Sequence, residues 1–262
     1  MGDLEKSKSP FTFSFLCGII RLIQVMNIKD DIMEFAINSQ GHRIRASNAN
    51  KIEEYRCPVC CQKVILRKCN EKVDHFAHPS CSDRWHYDMS EWHFQWQAQF
   101  PAGNREIVVE HDDEKHRADV MACGYVIEFQ HSPISAEEFD ERNHFYLSYG
   151  KKVVWVFDFI SEFDEDKIEC YEEWIRGNDG GGKYRWTYPK RFLQNFIPQN
   201  DKDIIVFFQF TEDDHENADA GYIERVTWAI EEDGLSDFRR FCTSYYPSNA
   251  IQLLEWIKKR KL

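Results

Sequence analysis

The chain has 262 residues, 42% hydrophobic and 15% aromatic, which is enough apolar material for a packed core and excludes global disorder. Its formal net charge of −12, from 33 Lys+Arg against 45 Asp+Glu, excludes a protein that coats a polyanion over its whole surface, though not a local basic patch. Nine cysteines, an odd number in a chain too large to need staples, argue against a disulfide framework and for a reducing, cytoplasmic setting with a metal site.

Residues 1–26 read as a tail outside the fold. Phe11 to Met26 is apolar, but Arg21 interrupts it, it is short for a bilayer, and no small-residue cleavage site follows, so no membrane span is expected. An amphipathic helix or a dispensable tail are the two readings, with Met26 as an alternative start. Residues 27–84 form a module of short strands (Phe35 to Asn38, His42 to Ala46, Val64 to Arg67). Between residues 42 and 72, eight basic side chains outnumber three acidic ones, so a nucleic-acid partner should meet this part of the chain.

Residues 85–160 have a clear order of elements. Ser90 caps a helix that runs to Phe100, with Pro101 beyond it. Glu106 to Glu110, Arg117 to Ala122 and Tyr125 to Gln130 read as three strands, the last with alternating faces, and Gly124 marks the turn between the second and third. Ser135 opens a second helix with Glu138 three residues on, and Gly150 ends it. Lys152 to Asp158 is a buried strand. Residues 161–262 read as a mixed α/β extension. It has a glycine loop at 178–182, an apolar strand at Ile204 to Phe210, an acidic turn at Thr211 to Glu216, and a last helix from Asn249 ending in lysines and Arg260.

Two constellations carry chemistry. Cys57-Pro-Val-Cys60 and His75-Phe-Ala-His78 are two ligand pairs, each with two residues between its members, and their soft thiolates and imidazoles suit tetrahedral zinc. Four protein ligands leave no open position, so the site is structural rather than catalytic. Cys61, Cys69 and Cys81 compete as ligands, and buried cysteines with surface histidines are the alternative reading. The second constellation is acidic. Asp119 on one strand and Glu128 on the next can reach a common point. Gln130 shares a side with Glu128 by the period of two. Val126, Ile127 and Phe129 make the setting apolar, and a carboxylate there is costly unless paired or bound to metal. Two such acids suit Mg²⁺ or Mn²⁺ and phosphate chemistry. Glu91 is a third candidate acid; His93, two residues on, lies about 200° around the helix from it. Arg142 and Tyr146, four apart, share a helix face and can meet phosphate or simply pair. His131 and Ser132 follow the acid strand as candidates for its mouth.

These motifs in this order resemble the competence protein CoiA-like family: Cys57-Pro-Val-Cys60, His75-Phe-Ala-His78, Glu91-Trp-His93, Arg117-Ala-Asp119-Val, Ile127-Glu128-Phe-Gln130-His-Ser-Pro-Ile134, Glu141-Arg142 and Val154-Trp155-Val. The likeness covers about residues 35–158. It implies an α/β protein with a PD-(D/E)XK restriction-endonuclease-like core, a mixed sheet flanked by helices, behind a small zinc-ribbon-like module. By that likeness Asp119 and Glu128 are metal ligands, Glu91 is the helix acid, and Gln130 stands where the wider superfamily most often has Lys. Gln carries no charge, so another group must supply one. The implied activity is metal-dependent hydrolysis of DNA phosphodiester bonds in DNA processing, uptake or recombination, with zinc structural and Mg²⁺ or Mn²⁺ catalytic. The implied partners are DNA, including single strands, and recombination proteins. The alternative is an inactive nuclease-fold accessory protein that binds DNA.

Overall fold

The computed structural model describes residues 31–69, 73–78, 89–176, 179–187, 203–210, 223–226, 231–232, 238–245 and 250–259. The expected tail helix and the acidic turn at 211–216 lie outside these residues. The N-terminal module is a six-stranded antiparallel sheet: β1 (Asp31–Met33), β2 (Phe35–Asn38), β3 (Arg43–Arg45), β4 (Tyr55–Arg56), β5 (Lys63–Arg67) and β6 (His75–His78), in the order β1-β6-β5-β4-β2-β3. Asn38 turns β2 into β3. Its Oδ1 accepts the amides of Gln40 and His42, and Gly41 takes the left-handed conformation that glycine tolerates (φ +80°). Met33, Ala36, Tyr55, Cys57, Val64 and Phe76 fill the small core.

The second sheet has ten strands. After α1 (Glu91–Ala98) come β7 (Arg105–His111), β8 (Glu114–Ala122) and β9 (Tyr125–Gln130), then α2 (Ala136–Ser148), β10 (Lys152–Asp158) and α3 (Ile160–Asp164). They are followed by β11 (Ile168–Arg176), β12 (Asp179–Thr187), β13 (Ile204–Gln209), β14 (Ile223–Val226), β15 (Glu231–Glu232), β16 (Phe238–Tyr245) and α4 (Ala250–Lys259). The strand order is β11-β12-β16-β14-β13-β10-β9-β8-β7, with β15 beside β16. β7, β8 and β9 pair antiparallel through two tight turns, at Asp112-Asp113 and Cys123-Gly124. Both residues of each turn have positive φ, as the hairpin twist requires. β10 pairs parallel to β9 and to β13, with α2 as the connection from β9 to β10.

Both faces of this sheet are covered. Phe139, Phe145 and Tyr146 of α2 pack with Val126, Trp155, Phe157 and Phe208 on one face. Trp92 and Trp96 of α1, with Leu253 and Ile257 of α4, pack on Ile127, Phe129, Val154 and Phe207 on the other. Hence all six residues of β9 are buried, in keeping with the apolar setting read from the sequence. Residues 180–182, expected as a glycine loop, belong to β12 instead. Trp174 pairs with Gly181, and a Cβ on Gly182 would lie 2.6 Å from the Tyr184 ring, so the glycine makes room for a buried tyrosine. Among the described residues beyond 160, β13 continues the core sheet and α4 packs on it.

Candidate functional site

Cys57, Cys60 and His78 bring two sulfurs and an imidazole nitrogen within 4.8 Å of one another, with Cys60 Sγ 3.0 Å from His78 Nε2. The knuckle is local. The Val59 amide approaches Cys57 Sγ at 3.4 Å, the Cys61 amide donates to the Cys57 carbonyl, and Cys61 turns the chain with φ +62°. Soft donors at this spacing form a candidate site for a metal of the zinc kind. His75 is not in the group. It lies three residues from His78 on an extended strand, where odd spacing sends side chains to opposite faces, and its Nδ1 donates to the Val73 carbonyl. Among the described residues no fourth ligand joins the three; Cys81 lies outside them. None of Cys57, Cys60, Cys61, Cys69, Cys123 and Cys170 forms a disulfide.

The acids meet at a fork. The β8–β9 ladder runs from Ala122↔Tyr125 to Val120↔Ile127; one step further, Asp119 stands opposite Glu128 and the ladder ends. Side chains take over the amides there. Phe129 N donates to Asp119 Oδ2 at 2.8 Å, and Asp119 N to Glu128 Oε1 at 3.4 Å. Both acids are sealed from solvent, at 4% and 0% exposure. α1 reaches Asp119 with two side chains one turn apart. His93 Nε2 and Gln97 Nε2 each lie 3.2 Å from its Oδ1. α2 reaches Glu128 with Arg142, whose Nη1 donates to Oε2 at 2.9 Å while the same guanidinium also holds Glu138. The Tyr146 hydroxyl, one turn on, also faces Glu128.

This packing separates the two carboxyl groups electrostatically. Burial, then the Asp119 charge, pushes Glu128 up to about 8, against the pull of Arg142 and Tyr146. Burial also raises Asp119, but His93, the Phe129 amide and Arg142 outweigh it and hold the group below the usual carboxylate range. The result is an ionised acid beside one that burial holds protonated, a pair of hard oxygen donors.

Family models match two stretches of the chain: the N-terminal domain of competence protein CoiA over residues 39–83, and its nuclease-like domain over residues 104–218. The chain belongs to the competence protein CoiA family. No curated protein and no solved structure matches it.

The CoiA N-terminal domain contains the thiolate–imidazole cluster, and the nuclease-like domain contains Asp119, Glu128, Gln130, Arg142 and Tyr146. α1, with Glu91, His93 and Gln97, lies between the matched stretches. Glu91 does not join the acids. It sits on the exposed side of α1, where Gln95 Nε2 donates to it at 3.3 Å, because His93 takes the inward position about 200° away. Gln97 is the member of the site that the sequence reading missed; its position four residues after His93 was the available signal. Gln130 turns its amide nitrogen to the Ser132 carbonyl at 2.6 Å, leaving its oxygen as its remaining polar atom. His75 and Glu91 both border a cleft of about 450 Å³ between the module and α1, together with Arg67, Cys69 and Phe94.

The basic excess of the CoiA N-terminal domain is partly paired, while Lys51, Arg56 and Arg67 are exposed. Arg43 donates to the carbonyls of Ala102 and Arg105, Arg45 pairs with Glu34, Lys63 with Glu54 and Lys68 with Asp74. Arg43 sits at the exposed rim of a seam with the nuclease-like domain whose buried members are Glu34, Arg105, Glu106 and Arg117. Arg105 pairs with Glu34 at 2.8 Å and Arg117 with Asp31 at 2.8 Å. Glu106, with φ +46°, takes the amides of Glu34 and Phe35 on its two carboxylate oxygens. Within the Arg117-Ala-Asp119 motif, alternate residues therefore serve seam and acid pair. No helix among the described residues is long and apolar enough to cross a membrane.

Proposed function

We propose that the chain is a divalent-metal-dependent DNA nuclease, with its thiolate–imidazole cluster holding a structural zinc. The observation that carries this reading is the meeting of Asp119 and Glu128 at the strand fork of a CoiA nuclease-like domain. Asp119 and Glu128 would hold the ion, which when bound supplies Lewis acidity and charge neutralisation at the phosphate. His93, Gln97 and the Phe129 amide orient Asp119; Arg142 and Tyr146 orient Glu128 through its other oxygen. Arg142 is also the permanent positive charge nearest the acids, which supports it in the role that Gln130 cannot fill. The oxygen of Gln130 remains to orient a water.

The test is cleavage of single- and double-stranded DNA with Mg²⁺ or Mn²⁺ by the wild type, Asp119→Asn and Glu128→Ala, with metal analysis. The expected outcome is cleavage by the wild type, a loss of at least about 10³-fold in both variants, about 4 kcal/mol of activation energy, and unchanged zinc. Cleavage that survives both substitutions removes the assignment. A second reading, an inactive DNA-binding accessory protein, is favoured by one observation. The oxygens of Asp119 and Glu128 already have partners within the chain, from His93 and Gln97 to Arg142. Tight DNA binding with no cleavage under any divalent ion would support it.

A further inference from the structure

α1 is pinned to the sheet beside the acids. Gln209 at the end of β13 accepts hydrogen bonds from the indole N–H groups of Trp92 and Trp96, at 2.8 and 2.9 Å. The residue after each tryptophan, His93 and Gln97, then faces Asp119. Gln97 is fully buried. Its Nε2 donates to Asp119 Oδ1 at 3.2 Å, but among the described residues no donor meets its Oε1. A buried carbonyl oxygen left without a partner is costly, and native chains keep few of them. This one is joined through a single carbon to the nitrogen that touches Asp119. It therefore lies in the sealed region that holds the acid pair.

We propose that Gln97 Oε1 is a third oxygen ligand of the divalent ion, beside Asp119 and Glu128. This rests on the metal-dependent reading of those two acids. Mg²⁺ and Mn²⁺ take hard oxygen donors, amide carbonyls among them. Neighbouring corners of an octahedron with bonds of about 2.1 Å lie about 3 Å apart. The Gln97 amide already stands 3.2 Å from Asp119 Oδ1, close to that spacing. The last torsion of a glutamine is soft, so either end of the amide can face that oxygen. Nε2 suits the carboxylate alone, and Oε1 suits it with a cation between them. His93 reaches the same Oδ1 with a nitrogen, a softer donor, and keeps its positioning role. Glu91, the acid expected from this helix, lies on its exposed side, so a neutral carbonyl takes the inward place. Gln97 also lies outside both family-matched stretches, residues 39–83 and 104–218.

The experiment reads Mn²⁺ binding to the full chain, purified with zinc, by electron paramagnetic resonance, so that no cleavage is needed. Gln97→Glu should tighten binding about tenfold by adding a charged ligand, and Gln97→Met, of similar size, should weaken it at least about tenfold. If Gln97 only steadied Asp119, Gln97→Glu would lose the donor and weaken binding too. Gln97→His gives a spectroscopic readout. Its ring nitrogen has a similar reach and, bound directly to Mn²⁺, adds a ¹⁴N coupling to the echo modulation that the wild type lacks. Bound Mn²⁺ without that added coupling, or a loss of affinity in Gln97→Glu, overturns the proposal. If Gln97→His binds no Mn²⁺, the affinity order Glu, Gln, Met decides. Asp119→Asn tests the underlying reading separately: it should abolish Mn²⁺ binding. A wild type that binds no Mn²⁺, or binding that survives Asp119→Asn, overturns both.

Discussion

Cys57, Cys60 and His78 come from one knuckle and one strand of a small sheet, whereas Asp119 and Glu128 depend on two strands, two helices and a ladder that ends at the right residue. The thiolate cluster lies beside a small apolar core, so a metal held there would supply cohesion that the module lacks. The acid pair lies among the buried side chains of the larger sheet and draws on that packing. Burying two carboxylates costs stability, which Arg142, His93 and Gln97 only partly return. Once loaded with zinc, one centre would hold its surroundings together; the other is held by them.

The sharpest way to break this contrast is to remove the metals. Stripping zinc with a chelator, or Cys60→Ser, should unfold the module, because such a site contributes on the order of 10 kcal/mol. Mg²⁺ removal should leave the fold intact. Near-UV circular dichroism with metal analysis separates the two, and a module that stays folded without zinc would sink the comparison. Arg142→Ala comes next. Taking a hydrogen-bond partner from the buried, protonated Glu128 should cost about 1–3 kcal/mol in urea unfolding, and adding Glu128→Gln should return part of it.

A pH series sharpens the acid side. The raised Glu128 carboxyl binds its proton more tightly in the folded chain. Its contribution is complete below its ordinary 4.5 and is lost as pH rises toward about 8. Asp119, held low, acts oppositely: its contribution is present above its ordinary 3.8 and is lost only as pH falls through its lower folded value. Stability should therefore decline between pH 5 and 8, and Glu128→Gln should flatten that decline; an unchanged slope would count against the coupling. The smallest effect expected is that of Ser90→Ala. It removes the Oγ that accepts the His93 amide at 3.1 Å and should cost about 1 kcal/mol in thermal unfolding.

Much of the core was legible because its signals are local. The caps Ser90 and Ser135, the turn at Gly124 and the apolar run Lys152 to Asp158 lie where they were expected. The pairing of Asp119 with Glu128 followed from a short hairpin. His75 misled because a Cys-x-x-Cys spacing closes a knuckle, while the same spacing on a strand faces two ways. Glu91 and His93 exchanged roles because α1 has apolar and polar side chains on several sides, and only tertiary packing decides which faces in. The fate of Arg43, Arg45 and Arg117 could not be read at all. A string of basic residues looks the same whether it meets solvent or a buried carboxylate.

That seam has a consequence for how the protein can be divided and inherited. Cutting the chain between the two sheets would strand Glu106 and Arg117 inside one half without Asp31 and the Glu34 amide, and would leave Glu34 without Arg105 and Arg43 without its two carbonyl partners on the other. Neither piece would be a self-sufficient cassette. Two separately expressed halves should be insoluble or should reassociate tightly when mixed, and any recombination event that shuffles these modules must carry both sides of the joint.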